Sequence, residues 1–455
     1  MTVIAVDRET TTQRLVRHII SYRQASLPQD ALTVAKQCVL DWFAVTLAGL
    51  DEPLARILRE QAGEAGAGTA TIVGTSSRCT PTEAALVNGA TSHALDYDDG
   101  HALTGGHATV AVFPAALAMA EVLGSSGLDL LRALIVGMEA EAVIGSLALP
   151  AHYDRGFHAT GTLGAFGAAA AVGFLLELDE TQMAMALGLA GTQAAGLKAM
   201  FGTMGKPFHA GKAASNGVLA ACLAKRGFTA NSDVLDAPQG FLDTQGRARL
   251  SQDIRLLPPG EAILDTLFKF HAACFLTHST IEAVSYLRGT YHFTPGDIAS
   301  IDLHVHPGHL KACDILSPQS GLEVKFSLRH LAALVVCGGD TAAIETYADE
   351  AVYRPDVVAL RSLVRVHGDG ADRTPATVRI GLKSGASFSR DENVGAPSHE
   401  FASNQVRLER KYRSLTQPVL GSAASEQLCA NIKSLDQGGS VETILRHANS
   451  QLRGI

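Results

Sequence analysis

The chain has 455 residues, of which 47% are hydrophobic and 18% are charged. This composition predicts a large buried interior divided between two domains. The formal net charge of −8 gives no electrostatic reason to bind nucleic acid or an anionic membrane. The seven cysteines lie singly, without metal-ligand or redox spacing, and the N-terminus has no signal-peptide pattern. We therefore predict a cytoplasmic protein that has neither nucleic-acid nor membrane partners.

Apolar residues at helical spacing predict a succession of helices over about the first 265 residues. Pro28 stands where a first helical turn accepts proline, and Gly49 stands where that helix would end. The segment 159–176 carries no charge, but its Gly and Ala content predicts a buried core helix rather than a membrane span. The many small residues also predict helices that pack backbone to backbone. The predicted helices are 11–22, 28–48, 81–95, 109–124, 128–148, 160–177, 180–198 and 212–226.

The pattern changes after Lys269. Residues 298–305 are rich in β-branched side chains, which predicts a strand, and residues 376–390 alternate polar and apolar side chains about a Ser-Gly turn, which predicts a hairpin. Helical spacing returns near residue 401. We therefore predict a mainly α protein in which the cleft between two domains is the expected site. The predicted parts are a large all-helical domain (1–268), an inserted smaller α+β lid domain (269–397) and C-terminal helices that return to the helical domain (398–455).

The segment from His93 to His107 is the most informative part of the sequence. It contains Asp96 and several glycines, which allow the backbone to approach a ligand closely, and the helix that follows favours a carboxylate at its N-terminus. One alternative is structural, with Asp98 and Asp99 capping helices and bonding loop amides. Another is a metal site, because His and Asp are suitable ligands, although their spacing matches no established metal motif.

Three other segments place a base beside a glycine-rich turn or within an apolar run. His158 directly precedes a helix rich in Gly and Ala. Lys206 precedes a proline, which predicts an extended turn ahead of a helix that begins near Gly211. Lys269 interrupts an apolar run. A lone lysine is usually a solvated surface group, but the recurrence of a base at a helix entrance predicts one shared pocket.

The sequence has no phosphate-binding glycine loop, no strand–GxGxxG–helix unit and no Gly-x-Ser-x-Gly elbow. We therefore predict an enzyme that uses no cofactor and no metal. Its chemistry would be acid/base catalysis by His, Lys, Tyr and Asp, with cations that stabilise negative charge. A non-enzymatic helical scaffold is the alternative, and it does not account for the bases at helix entrances.

An ordered set of short motifs runs through nearly the whole chain. The motifs are Leu40-Asp41, His93-Ala-Leu-Asp-Tyr-Asp-Asp, Gly156-Phe-His158, Lys206-Pro-Phe-His-Ala-Gly, Asp236-Ala-Pro-Gln-Gly-Phe241, Lys269 followed by His278, Lys325-Phe-Ser and Lys411-Tyr-Arg-Ser-Leu. Their order resembles the MmgE/PrpD family, whose members include 2-methylcitrate dehydratase, cis-aconitate decarboxylase and iminodisuccinate epimerase. The resemblance implies a helical domain with a smaller α+β lid, a homodimer, and no metal or organic cofactor.

The resemblance also implies which residues act. The catalytic positions of the family fall on Asp96, His107, His158, Lys206 and Lys269. We add four candidate substrate-binding residues, which are His101, Tyr153, His209 and His330. The sequence departs from the family where its usual His-Pro is His107-Ala108, and where a tyrosine that some members carry is His330.

The implied chemistry is removal of a proton next to a carboxylate of a small polycarboxylic acid. Lys206 and Lys269 would stabilise the negative charge that develops. His107 or His158 would act as the base, and Asp96 would orient a histidine. Because the departures lie where substrate and proton donor should meet, we predict an isomerase that epimerises iminodisuccinate. The alternatives are a 2-methylcitrate-type dehydratase, then a cis-aconitate-type decarboxylase, and a metal-dependent hydrolase that would require bound metal.

Overall fold

The computed structural model describes residues 9–246 and 254–450. Helices predominate and the sheets are few and small, which confirms the mainly α class. The described residues form two compact units. The first comprises the residues up to Phe268 together with those from Ser398 onward, and the second is Lys269–Pro397.

The first part of unit 1 is a series of helices with two short two-stranded sheets. Strand β1 (Ala70–Thr71) pairs with β2 (Arg78–Cys79), and β3 (Gly100–His101) pairs with β4 (Thr266–Leu267), both antiparallel. The helices are α1 (Thr11–Ser21), α2 (Gln29–Ala48), α3 (Pro53–Glu64), α4 (Pro81–Ser92), α5 (Thr109–Leu123), α6 (Gly127–Ala148), α7 (Ala151–Asp154), α8 (Ala159–Leu175), α9 (Glu180–Gly191), α10 (Gly205–Lys225) and α11 (Phe241–Thr244).

Unit 2 is built on a four-stranded sheet in the order β6-β5-β7-β8. The central strand β5 runs parallel to β6 and antiparallel to β7, and β7 and β8 form the predicted hairpin. Helix α12 packs on β7 and β8, and α15 packs on β6. The elements are α12 (Phe275–Tyr291), β5 (Ile298–Val305), α13 (Pro307–Ala312), α14 (Gly321–Val324), α15 (Leu328–Val336), α16 (Pro355–Arg361), β6 (Val364–His367), β7 (Ala376–Leu382) and β8 (Ser387–Glu392).

Three C-terminal helices return to unit 1. They are α17 (Phe401–Leu420), α18 (Ser422–Lys433) and α19 (Val441–Ala448). Helix α17 packs along α2. Their return brings residues near position 411 into the interior that the N-terminal helices enclose.

Local sequence explains where several helices begin and end. Thr10, Ser126 and Asp179 each accept a backbone N–H at the start of α1, α6 and α9, and each forms a capping box. Gly124 ends α5 in the left-handed conformation, which glycine adopts without steric cost. These signals are why the predicted starts of these helices agree with the structure to within one residue.

Glycines allow the helices of unit 1 to approach each other closely. A Cβ on Gly211 of α10 would lie 2.1 Å from the Leu86 backbone oxygen of α4. A Cβ on Gly167 of α8 would lie 2.9 Å from the Gly137 backbone oxygen of α6. The expectation that small residues pack these helices backbone to backbone is therefore confirmed.

Helix α2 is long and apolar enough to cross a membrane by length and composition alone. However, 78% of its apolar window is buried inside the fold, which is typical of a core helix. Helix α8, in the charge-free segment, is buried along almost its whole length. Both helices thus form the core of unit 1.

Two local predictions were wrong. Lys206 does not lie on an extended turn ahead of a helix near Gly211, because α10 already begins at Gly205. Pro207 is therefore in the first turn, where its missing N–H costs no intrahelical hydrogen bond. The first turn of α10 carries Lys206, and α9 ends earlier than predicted, at Gly191.

Candidate active site

The candidate site is built on the loop that joins α4 to α5. His93 ends α4, and Asp96 adopts a left-handed backbone conformation with φ of 50°. Such a conformation is uncommon outside glycine and is held by surrounding contacts. The loop then forms β3 and continues to Gly106, where a Cβ would lie 2.8 Å from the Thr160 nitrogen of α8. His107 donates its backbone N–H to Thr160 Oγ1 at 3.0 Å, so the loop is tied to the start of α8.

Asp98 is the centre of the buried part of the site. His93 Nδ1 lies 2.9 and 3.0 Å from its two carboxylate oxygens, and His107 Nδ1 lies 2.8 Å from Oδ2. Burial acts to raise the pKa of Asp98, but the neighbouring His107 and His93 hold it well below its usual range. Asp98 is therefore an ionised carboxylate that is hydrogen-bonded to His93 Nδ1 and in close contact with His107 Nδ1.

Lys206 and Asp96 form the more exposed side of the same cluster. The Lys206 ammonium lies 2.8 Å from Asp96 Oδ1, and His107 Nε2 lies 3.6 Å from that oxygen. The Asp96 side chain is 44% exposed, whereas those of Lys206 and His107 are each 15% exposed. A cation and a ring nitrogen thus meet where the buried cluster opens to solvent.

The contacts of His107 define the roles of its two ring nitrogens. Because Nδ1 faces the Asp98 carboxylate, the neutral ring carries its hydrogen there. Nε2 then has a free lone pair and lies on the side of Asp96 and Lys206. This is the arrangement of a general base whose tautomer is set by a buried carboxylate.

His158 forms the other wall of the cluster. It precedes α8, its ring stacks on His93 with 6.0 Å between centroids, and its Nδ1 lies 3.0 Å from His209 Nδ1. Phe201 packs edge-on against His158 at 5.1 Å and lies 5.6 Å from the Lys206 ammonium. Burial, reinforced by the nearby charges of His93 and Lys206, lowers the pKa of His158, and burial lowers the pKa of His93 to about 4. Both rings are neutral near pH 7.

Comparisons with known proteins agree with this site. Residues 13–250 match the MmgE/PrpD N-terminal domain, and residues 271–437 match the MmgE/PrpD C-terminal domain. The chain belongs to the MmgE/PrpD family. It is 27% identical to a cis-aconitate decarboxylase of Aspergillus terreus, over 94% of this chain and 93% of that protein. It is 30% identical to the human cis-aconitate decarboxylase, over 79% of this chain and 77% of that protein. It is 33% identical to a cis-aconitate decarboxylase-like protein of Aspergillus oryzae, over 64% of this chain and 64% of that protein.

In this MmgE/PrpD enzyme the structure brings four of the predicted site residues of unit 1 together. His107, Lys206 and Asp96 share contacts, and His158 joins them through the His93 ring. His209 is brought to the same cluster by its contact with His158.

His101 and Tyr153 make other contacts. His101 Nε2 lies 2.8 Å from the Ala262 carbonyl oxygen, and its Nδ1 accepts the Leu103 N–H at 3.3 Å. Both ring nitrogens are thus engaged in the fold, which favours a structural role for His101 over the predicted contact with substrate. The Tyr153 ring lies under the Lys198 ammonium, 3.6 Å from the ring centroid.

The remaining predicted residues belong to unit 2. Lys269 is 3% exposed, and together with burial and His271 it lowers the pKa of His278. His330 is buried on α15, where Arg361 donates to its Nδ1 at 3.3 Å. Burial, followed by the charges of Arg361 and Arg354, lowers the pKa of His330 to about 4. The functional roles of Lys269 and His330 stay predictions.

A metal ion is the alternative use of this cluster. His93, Asp96, Asp98 and His107 each offer one ligand atom, and these atoms lie within 4.8 Å of one another. Two imidazoles and two carboxylates are a suitable donor set for a divalent transition metal. In the structure the same carboxylates already have cationic or N–H partners, since Lys206 lies against Asp96 and two rings lie against Asp98.

Sequence reasoning gave no role to His93 and left Asp98 evenly divided between function and loop stabilisation. No local sequence pattern identifies them, because the loop is not an extended strand: Asp96 has a left-handed backbone with φ of 50°. The contacts of Asp98 with rings five residues before and nine residues after it depend on the loop conformation. That conformation could not be read from spacing alone.

Proposed function

We propose that the protein is a lyase that forms a carbanion next to a carboxylate of a small polycarboxylic acid, and that its reaction is decarboxylation of cis-aconitate. The observation that carries this proposal is the chain of contacts from Asp98 through His107 to Asp96 and Lys206. It provides a proton carrier and a cation side by side. The proposal is supported by relatives named cis-aconitate decarboxylases, one of which aligns over 94% of this chain.

The reaction needs no redox step. In cis-aconitate, a CH₂–carboxylate group is attached to a carbon–carbon double bond. The bond between the CH₂ carbon and its carboxyl carbon breaks, CO₂ leaves, and the electron pair forms a new double bond to the CH₂ carbon. The pair of the old double bond moves to the carbon next to a remaining carboxylate, which becomes an enolate. One proton added to that carbon completes a five-carbon unsaturated dicarboxylate.

The cluster supplies what this step needs. Lys206, on the first turn of α10, would bind a substrate carboxylate and stabilise the enolate charge. His107 would take a proton from solvent on Nε2 and deliver it to the carbanion carbon, with its ring oriented by Asp98. Neutral His93 and His158 add no positive charge to the site. The single N–H of His93 is held by Asp98, so its Nε2 can only accept a hydrogen bond. Lys269 remains a predicted second cation.

The predicted iminodisuccinate epimerase activity uses the same carbanion chemistry without loss of CO₂. The names of the relatives favour the lyase, and among lyases the decarboxylase over the dehydratase. One assay separates all of these reactions. The purified protein is incubated in D₂O with cis-aconitate, 2-methylcitrate, citrate and the iminodisuccinate stereoisomers, and followed by proton NMR.

The expected result is consumption of cis-aconitate, release of CO₂ and a dicarboxylate that carries one deuterium on the carbon next to a carboxylate. Olefin formation from 2-methylcitrate alone would replace the proposal with the dehydratase. Exchange or inversion of iminodisuccinate without CO₂ release would replace it with the epimerase. Elemental analysis of the same preparation, with activity measured before and after chelation, tests the metal alternative, and light scattering tests the predicted homodimer.

A further inference from the structure

A buried ion pair lies beneath the loop that carries the candidate site. The Lys411 ammonium of α17 is 2.6 Å from Asp41 Oδ1 of α2. Both side chains are 1% exposed. Burying two charges costs several kcal/mol per ion, so such a pair is weak evidence of stabilisation.

Both members of the pair face the backbone of the loop. Lys411 Nζ donates to the Tyr97 carbonyl oxygen at 2.6 Å. Burial raises the pKa of the Asp41 carboxylate, and Lys411 and then the backbone N–H of Asp99 act to lower it. The Tyr97 carbonyl belongs to the peptide that precedes Asp98, and the Asp99 N–H belongs to the peptide that follows it. The pair therefore acts on both peptides that flank the carboxylate at the centre of the site.

The Tyr97 side chain adds a second contact. Its ring is fully buried, and the Lys411 ammonium lies 3.9 Å from the ring centroid, within the range of a cation–π interaction. Tyr97 is thus drawn into the interior, while its neighbours Asp96 and Asp98 reach Lys206 and the two histidines. Asp96, directly before Tyr97, has a left-handed backbone with φ of 50°.

Several acidic groups near Lys411 interact with its positive charge. Asp99 accepts a hydrogen bond from Thr109 Oγ1 at 2.7 Å, and burial with the nearby Asp41 raises its pKa well above the usual range. Burial lowers the pKa of Lys411, and Asp41, Asp98 and Asp99 oppose that effect. Three carboxyl groups thus act electrostatically on the ammonium, and Asp41 is in direct contact with it.

We infer that Lys411, paired with Asp41, is a positioning residue for the active-site loop: it holds the Tyr97 carbonyl and the flanking peptides so that Asp98 orients His93 and His107. The inference rests on the proposed function for its kinetic test. Lys411 does not need to contact substrate, because it acts through the orientation of the two histidines.

The test is a charge-neutral double variant, Asp41→Asn with Lys411→Met, which avoids leaving one buried charge without its partner. A matched control is Lys36→Met with Asp436→Asn. Lys36 lies on the same helix α2 and pairs with Asp436 of the C-terminal segment at 2.9 Å, with side chains that are 14% and 7% exposed. Both double variants remove one ion pair between α2 and the C-terminal part of unit 1.

Two readouts are needed. The first is kcat and KM with the acid that the wild-type protein converts. We expect kcat to fall roughly 10- to 100-fold in the Asp41/Lys411 variant, as for other residues that orient catalytic groups, with KM little changed and the control unaffected. The second readout is ¹⁵N-histidine NMR of the ligand-free protein. The His93 and His107 signals should lose the Nδ1–H pattern of rings bound to Asp98, and the control should keep it.

A folded Asp41/Lys411 variant with wild-type kcat and unchanged histidine signals would overturn the inference. If the wild-type protein converts none of the acids, the proposed function fails while the NMR comparison still decides the role of Lys411. If the double variant does not fold, Asp41→Glu alone decides, because it keeps both charges and moves the carboxylate that anchors Lys411. A several-fold loss of kcat with altered histidine signals supports the inference, and unchanged values for both refute it.

Discussion

At the scale of single residues, Asp98 determines the orientation and the tautomers of two histidines in the candidate site. It is buried, ionised and in contact with the Nδ1 atoms of His93 and His107. An ionised carboxylate between two imidazoles requires an N–H from each, so both rings have their Nε2 atoms free of that hydrogen when neutral. The chemistry of His107 therefore depends on a neighbour that need not touch substrate.

Asp98→Asn should lower kcat by roughly 10- to 100-fold, because an amide cannot accept from both rings as an ionised carboxylate does. The histidine ¹⁵N spectrum should show that His93 or His107 has changed tautomer. His101, whose Nε2 is bound to the Ala262 carbonyl, is an internal control whose signal should not move. Wild-type kcat in a folded variant would show that the orientation of His107 does not depend on Asp98.

Lys206→Ala should remove the cation that stabilises the enolate. Loss of one such group costs on the order of 3 kcal/mol in the barrier, or a 10²- to 10³-fold decrease in kcat. The matched control is Lys212→Ala, on the same helix but exposed, which should keep wild-type kcat. Urea unfolding should give similar stabilities for both variants. Near-native kcat in Lys206→Ala would leave the proposed reaction without its main electrostatic group.

At the scale of elements, helix α10 connects packing to the site. It carries Lys206 in its first turn, and further along it Gly211 meets the backbone of α4. Helix α4 in turn leads directly into the loop with His93 and Asp96. The distance between the Lys206 ammonium and the Asp96 carboxylate is thus set in part by a glycine contact between two helices.

Gly211→Ala should lower the free energy of unfolding by about 1–3 kcal/mol, because its Cβ would lie 2.1 Å from the Leu86 backbone oxygen and one helix must shift. It should also lower kcat, since α10 carries Lys206. The control is Gly63→Ala on α3, where no atom lies within 4 Å of the added carbon. That variant should be neutral or stabilised by about 0.5–1 kcal/mol. Equal urea midpoints for the two variants would contradict the packing argument.

At the scale of the whole molecule, buried histidines dominate the change in the free energy of unfolding as the pH falls. Burial lowers the pKa of eight histidines in the described part of the chain, which are His93, His101, His152, His158, His209, His278, His309 and His330. Unfolded histidine titrates near 6.5. Below that pH the unfolded chain binds protons at these histidines and the native state does not, so the free energy of unfolding decreases as the pH falls.

The free energy of unfolding should therefore decrease from about pH 6.5 toward pH 4. His93, whose native pKa is about 4, alone contributes about 2 kcal/mol between pH 6.5 and 5. Asp99 and Glu141 act in the opposite sense, because their raised pKa values mean that the native state holds protons there. The histidines outnumber them. Urea unfolding at pH 7 and pH 5 measures the difference, and equal or greater stability at pH 5 would refute this account.

The amino-acid sequence by itself determined where several of the helices lie and identified part of the candidate site. Capping residues, a charge-free apolar run and helical spacing are local signals, so the starts of α1, α6 and α8 and strand β5 could be predicted. His107, His158 and Lys206 were also found locally, because each is a base beside a helix start. The start of α10 was missed because proline is accepted in a first turn as readily as it ends a helix.

Only the tertiary structure decided how these groups act on one another. The contact between Lys411 and Tyr97 joins residues 314 positions apart, and that between His158 and His209 joins residues 51 apart. Burial then determines which rings stay neutral and which carboxyl groups keep their protons. A pKa depends on the groups within a few ångströms and on the exclusion of water. The sequence lists the titratable groups, and the packing of helices around them determines their charge.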